Sequence, residues 1–171
     1  MSSESLRRMT PADLELVLRW RNHPDIRRWM YTTHEITLEE HQRWFESATH
    51  DSSKHLLIYE RDGSAVGFVN ISLLKGTDVA EWGFYLAPEA PSGIGTDFGR
   101  AVIRHAFETL GLYKLSGHAL ATNERSIRFH QRLGFRDEGV RRDHHLATDG
   151  MRHSVACFGL LRHEWQAAPL S

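Results

Sequence analysis

Asn123-Glu124-Arg125-Ser126-Ile127-Arg128-Phe129-His130-Gln131-Arg132-Leu133-Gly134-Phe135 is the stretch on which the fold turns. It reads as a helix over 123–133 stopped by Gly134, because glycine takes the left-handed conformation that ends a helix without steric cost. A strand over 114–121 precedes it. Further upstream, Phe98, Val102, Ile103, Ala106 and Phe107 recur at helical spacing on the buried side of an amphipathic helix reaching about residue 110. A proline- and glycine-bearing loop over 87–95 leads into that helix. Strands over 135–142 and 153–161 follow the quoted stretch.

The N-terminal half keeps the alternation. A short strand near Leu6 is followed by Thr10-Pro11-Ala12-Asp13, an N-cap threonine with proline in the first turn. Leu14, Val17 and Leu18 then share one helical face, and the helix ends near Asn22-His23-Pro24, since the residue before proline disfavours helix. One more helical turn fits 25–29. Thr37-Leu38-Glu39-Glu40 is a capping box opening a helix to about residue 48, with His41, Trp44, Phe45 and Ala48 three or four apart. Three strands follow, over 55–61, 65–74 and 79–86, the first ending at an Asp62-Gly63 turn. The order is β-α-α-β-β-β-α-β-α-β-β, an α/β (α+β) arrangement in a single domain over 1–171.

Composition bounds the function. Twenty-one basic side chains stand against 22 acidic ones in 171 residues, a net charge of −1, which argues against a nucleic-acid partner bound by gross charge. No apolar run approaches the ~18 residues of a membrane span. The N-terminus over 1–8 lacks an apolar signal core, so the cytoplasm is the expected compartment. One cysteine, Cys157, excludes an intramolecular disulfide and a multi-cysteine zinc site, and reads as a small buried hydrophobe. The 12 histidines raise metal binding or proton transfer. No His-Glu-x-x-His spacing appears, and His144-His145 is a lone pair in a polar loop, so no metal is expected.

Pro91-Ser92-Gly93-Ile94-Gly95-Thr96 lies between a strand and a helix. Glycines there leave backbone N–H groups pointing one way at the positive end of a helix, an anion site suited to a pyrophosphate. The pattern misses the dinucleotide G-x-G-x-x-G by one residue and lacks the P-loop lysine. By itself it reads equally well as an ordinary turn.

Taken together, the glycine loop, the following strand and Asn123, Ser126, Phe129, His130, Arg132 and Gly134-Phe135 resemble the GCN5-related N-acetyltransferases. The hallmark of that family is N-x-x-[SA]-x-x-[FL]-Y-x-[KR]-x-G-F behind such a loop. The resemblance implies a mixed, mostly antiparallel sheet of about seven strands flanked by about four helices. It implies acetyl transfer from acetyl-coenzyme A to an amine by direct attack in a ternary complex. The cofactor-binding part is then about 79–135. The strand over 79–86 would splay from that over 114–121 and take the pantetheine between them, with Tyr85 and Leu86 pairing to it. Pro91, Ser92, Gly93, Ile94, Gly95 and Thr96 would hold the pyrophosphate, and Asn123 and Ser126 the pantetheine. Two positions depart from the family: Ala90 stands where Arg or Gln is usual, and His130 where tyrosine is usual. His130 is thus the expected general acid to the thiolate, or else a packing histidine beside catalysis by proximity. Glu81 is the expected base, or else an outward-facing strand acid.

The acceptor part is about 10–50. Arg19-Trp20-Arg21-Asn22-His23-Pro24-Asp25-Ile26-Arg27-Arg28-Trp29-Met30-Tyr31 is dense in arginine and aromatics, which suits a nucleotide-linked ligand or else is a helix-end cluster with solvated arginines. With His34-Glu35-Ile36 and Glu40-His41-x-x-Trp44 it resembles the N-acetyltransferases of pseudaminic acid biosynthesis. The acceptor implied is the 4-amino group of UDP-4-amino-4,6-dideoxy-N-acetyl-β-L-altrosamine. Arg21, His41 and Tyr85 would contact the diphosphate, and Met30, Tyr31 and Trp44 would form the apolar pocket for the deoxysugar. Alternatives are an N-terminal acetyltransferase of ribosomal-protein type, or an inactive coenzyme A-binding module. The partners expected are the UDP-amino sugar and acetyl-coenzyme A, with no nucleic acid and no membrane; a homodimer is compatible with the sequence.

Overall fold

The computed structural model describes residues 2–168. Met1 and residues 169–171, which the single-domain expectation also spans, lie outside the described residues. Seven strands form one sheet in the order β1-β2-β3-β4-β5-β7-β6. They are β1 (Glu4–Arg8), β2 (Lys54–Arg61), β3 (Ser64–Leu73), β4 (Val79–Leu86), β5 (Lys114–Leu120), β6 (Arg136–Leu146) and β7 (Arg152–Leu161). Every neighbouring pair is antiparallel except β4 with β5, which is parallel. The parallel pair is the one that needs a helical crossover, and α4 (Ile94–Arg104) supplies it.

Alternation along the strands divides the core in two. On β2, Leu57 and Tyr59 face the cluster built with Phe98, Val102 and Ile103 of α4 and Phe129 of α5 (Glu124–Arg132). Leu56 and Ile58 face the opposite side, against Val17 and Trp20 of α1 (Leu14–Asn22) and Phe45 and Ala48 of α3 (Leu38–Thr49). Arg7 of β1 donates two 2.8 Å hydrogen bonds to Asp13, tying the start of α1 to the sheet edge. Among the described residues, no helix is long and apolar enough to cross a membrane.

Several local expectations are refined. The turn after Pro24 is α2 (Pro24–Arg27). The helix expected to reach residue 110 is α-helical to Arg104 and continues as a π-helical turn over His105–Thr109. A further helix, α6 (Arg162–Ala167), closes the chain, started by Glu164 accepting the Leu161 amide and docked by Trp165 on Phe107. His144-His145 belongs to β6 rather than to a loop. Gly139 at φ +105° and Asp143 at φ +47° put irregularities into that strand, so its polar residues lose the alternation that marks a strand in sequence.

Candidate active site

β4 and β5 pair at only three positions, Val79 with Lys114, Ala80 with Leu115 and Glu81 with Ser116. Both strands run on, β4 against β3 and β5 against β7, but no longer against each other. The expected splay therefore opens between Trp82 and Gly117. A parted pair of parallel strands exposes unpaired amides and carbonyls on the β4 edge, which an extended amide-bearing chain can satisfy by adding as a strand. At the far end of this opening Gly93 adopts φ +86°, a left-handed conformation that glycine takes freely, and caps α4. The first amides of α4 then point out of the helix end, toward any ligand phosphate in front of it. Pro91, Ser92 and Gly93 are exposed, Gly95 and Thr96 half-buried, and Ile94 is an anchor in the core. Ala90, at the departed position, packs against both core clusters.

Behind the opening runs a chain of hydrogen bonds. Asn123 Oδ1 accepts from the Ser126 amide at 3.2 Å, capping α5. The Ser126 carbonyl accepts from His130 Nδ1 at 2.8 Å, and Trp82 Nε1 donates to His130 Nε2 at 3.1 Å. These partners fix the tautomer. An indole N–H can only donate and a carbonyl can only accept, so the proton sits on Nδ1 and Nε2 offers its lone pair. His130 is 1% exposed, stacked on Phe158 at 4.7 Å, and its burial holds the imidazole below its usual pKa. This geometry bears on both roles expected of His130, general acid or packing histidine. Its one N–H is committed to Ser126, and burial opposes adding a second. The ring also holds Trp82 at the apex of the splay. Gly117 completes the apex, since a Cβ there would come within 2.5 Å of His130 Nε2 and 2.8 Å of Trp82 Nε1.

The other face of the sheet carries residues expected to bind the acceptor. Trp82 and Phe84 point toward α4 and α5, so Glu81 and Tyr85 point away from them. Tyr85 lies at 5.1 Å from Phe68, which meets Trp44 edge-on at 5.9 Å, and Trp44 stacks on His41 at 5.1 Å. Arg21 reaches this wall from α1. Its Nη2 donates to the Thr32 carbonyl at 2.8 Å, while Nη1 is buried without a hydrogen-bond partner among the described residues. His41, 4% exposed, likewise leaves Nε2 without one. Burial lowers the pKa of both groups, the Arg21 charge lowers that of His41 further, and burial raises that of the Tyr85 hydroxyl against a pull from Arg21. The three groups thus share one electrostatic neighbourhood.

Of the other arginines in the segment, Arg27 is near enough to add to the lowering of the Arg21 pKa after burial. Arg27 pairs loosely with Glu35 at 3.8 Å, and Arg28 lies over Trp29 at 5.0 Å. Met30 is half-buried after α2. Tyr31 stacks on His145 of β6 at 4.7 Å, while Thr33 meets Thr148 at 3.2 Å. The segment after α2 therefore arches across the open half of the sheet to the β6–β7 hairpin. Glu81 lies there with His118 of β5, whose Nε2 is 3.9 Å from Glu81 Oε1. Sequence reasoning missed His118. Nothing in the local pattern of β5 separates a histidine on the open face from one on the covered face.

This geometry matches known proteins. Residues 5–136 match the model of the acetyltransferase (GNAT) domain family. Acetyltransferase PseH of Campylobacter jejuni (strain 81-176) is 33% identical over 126 residues, 72% of this chain and 76% of that protein. The putative ribosomal N-acetyltransferase YdaF of Bacillus subtilis is 36% identical over 107 residues, 61% of this chain and 58% of that protein. The structure of a Vibrio cholerae spermidine N-acetyltransferase in complex with CoA and spermine superposes with a TM-score of 0.86 at 18% identity, covering 95% of this chain and 98% of that one. The chain belongs to the GNAT acetyltransferase family and is an acetyl-coenzyme A-dependent N-acetyltransferase.

Proposed function

We propose that this enzyme acetylates the 4-amino group of a UDP-linked 4-amino-4,6-dideoxy sugar, UDP-4-amino-4,6-dideoxy-N-acetyl-β-L-altrosamine, in pseudaminic acid biosynthesis in the cytoplasm. The observation that carries the reading is the pair of buried, unpartnered nitrogens, Arg21 Nη1 and His41 Nε2, on the acceptor side. Arg21 Nη1 is a buried donor, and one without a partner is costly unless a ligand supplies it. A diphosphate offers several oxygens to a guanidinium fork and, once His41 is protonated, to an imidazolium. The similarity to acetyltransferase PseH points the same way.

In this reading the amides of Gly93, Ile94, Gly95 and Thr96 hold the pyrophosphate of coenzyme A, with Pro91 and Ser92 shaping the loop. The backbone of Tyr85 and Leu86 pairs with the pantetheine. Asn123 spends its Oδ1 on the α5 cap and has its amide NH₂ left to offer there, beside Ser126. The Trp44 wall and Met30 receive the deoxysugar methyl, and Tyr31 roofs the sugar. The thioester comes to rest at the apex between Trp82 and Gly117. A thiolate leaves readily there, because thiols ionise near ~8.5 and need little help from an acid. His130 therefore acts as a positioning residue, holding Trp82 so that the apex keeps its shape.

Release of coenzyme A, measured with UDP-linked 4-amino-6-deoxy sugars against peptide N-termini, tests the proposal. Turnover with the amino sugar nucleotide is expected. Turnover on peptides alone would replace it with the ribosomal-protein reading that the similarity to YdaF makes the natural competitor.

A further inference from the structure

The proton that an ammonium acceptor must lose has a destination on the open face. We infer that His118, with Glu81 beside it, is the proton acceptor for the incoming amine. The inference rests on amine acetylation and not on which amine is acetylated.

Register places His118 there. Gly117 faces His130 and Trp82 on the α5 side, so Ser116 and His118 face the other way. Cys157 lies opposite His118 on β7, and Phe158 opposite Gly117. His118 is one residue beyond the apex, on the side from which an acceptor arrives, while the coenzyme A tunnel runs along β4. The side chain is 19% exposed, shielded but reachable, and that of Glu81 is 43% exposed. At 3.9 Å the two are too far apart for a direct hydrogen bond, but one water or a small rotation joins them.

Chemistry favours the imidazole over the carboxylate as the first acceptor. An unperturbed imidazole is about two pKa units more basic than a carboxylate, a margin that burial of His118 narrows and Glu81 partly restores, so the transfer from an ammonium is less uphill. Burial lowers the His118 pKa and keeps the ring neutral near pH 7, and Glu81 opposes part of that shift. The other groups that His118 senses are Arg141, Glu138 and His144 of β6, and across the sheet His130. Glu138 is engaged by Lys114 at 2.7 Å, so Glu81 is the carboxylate free to relay a proton outward. Tyr31, whose hydroxyl pKa is raised first by burial, lies within electrostatic reach of Arg141, Cys157 and Glu81.

The step balances as follows. The acceptor ammonium gives one proton to His118 Nε2, which passes it through Glu81 to solvent. The freed nitrogen lone pair forms the C–N bond with the acetyl carbonyl carbon. The C–S bond breaks with its electron pair going to sulfur. The second proton lost by nitrogen ends on the thiolate, giving free coenzyme A and the amide.

His118→Asn and Glu81→Gln test this, using whichever acceptor, amino sugar nucleotide or peptide amine, the release assay selects. Failure of the sugar nucleotide thus removes the substrate reading and leaves this one measurable. His118→Asn should lower kcat about 10²-fold at pH 7, with the KM for acetyl-coenzyme A within threefold of wild type. The deficit should shrink as pH rises toward the pKa of the amine, which then deprotonates unaided. Glu81→Gln should show a smaller deficit of the same pH form. If His118→Asn melts or loses acetyl-coenzyme A binding, His118→Ala with added imidazole decides: recovered turnover supports the role, and none overturns it. A folded His118→Asn with kcat within threefold of wild type, or with a deficit that does not change with pH, overturns it as well.

Discussion

Gly117→Ala is the perturbation that bears most directly on how this fold makes its site. The added methyl would meet His130 Nε2 at 2.5 Å and Trp82 Nε1 at 2.8 Å. Neither ring is a flexible chain end. Trp82 stacks on Phe135 at 5.3 Å and Phe129 at 6.3 Å, and His130 is held by Ser126 and Phe158. Relief requires the indole–imidazole hydrogen bond to lengthen and one ring to shift. Overpacking of this kind costs about 1–3 kcal/mol. For a chain of this size that lowers Tm by roughly 2–4 °C per kcal/mol, or about 2–12 °C in all. The same shift moves the apex where the thioester is proposed to rest, so acetyl-coenzyme A affinity should fall; about 1.4 kcal/mol of lost complementarity is a tenfold rise in Kd. Thermal unfolding read by circular dichroism and titration calorimetry with acetyl-coenzyme A measure the two effects. A variant within about 0.5 kcal/mol of wild type, with unchanged Kd, would falsify the view that a side-chain-free position 117 is what lets the splay form.

Three further outcomes are expected. His130→Gln keeps an acceptor toward Trp82, so kcat should stay within threefold of wild type if the ring only positions; a ~10²-fold loss in steady-state turnover would restore the proton-donor role. Arg21→Met should raise the KM for the sugar nucleotide about ten- to hundredfold, the worth of one or two charge-assisted hydrogen bonds, while the KM for acetyl-coenzyme A stays put; equal effects on both substrates would remove Arg21 from the acceptor site. His41, His55, His105, His118 and His130 all have pKa values lowered chiefly by burial. The unfolded chain therefore takes up protons first as pH falls, and stability present above about 6.5 is lost below it. Urea midpoints should drop between pH 7.5 and pH 5.5, and a midpoint that holds or rises would contradict these environments.

Much of the frame is legible in the chain itself. Thr37 and Glu40 close a capping box because their spacing allows nothing simpler: the Thr37 amide donates to Glu40 at 2.7 Å and the Glu40 amide to Thr37 at 3.2 Å. Gly93 stands where a strand must turn into a helix, and it alone supplies the left-handed conformation at no cost. The helix ahead of Gly134 ends there for the same reason, with φ +92°. These are short-range facts, and local patterning carries them. What local patterning misjudged was also local in cause: two positive-φ residues hid the far half of β6, and a six-residue helix at the chain end carried too few turns to show a period.

The candidate site divides along the same line. Residue types at fixed spacing around Gly93 and Asn123 point to the cofactor, because a phosphate loop and a helix cap are each made within a few residues. The environments of individual side chains were set only where distant strands met. His130 is a histidine in any reading of the sequence; which nitrogen bears its proton depends on Trp82, which the β4–β5 register brings to it. His118 is one of twelve histidines until that register turns it toward Glu81. Arg21 is one arginine among four in its segment, and only the folded chain leaves its Nη1 buried without a partner among the described residues, within electrostatic reach of Tyr85 and His41. The sequence by itself determined the order of elements, the glycine loop and the helix caps, since those depend on neighbours along the chain. The tertiary structure decided the open apex, the His130 tautomer and the approach of His118 to Glu81, since each depends on contacts between residues far apart in sequence.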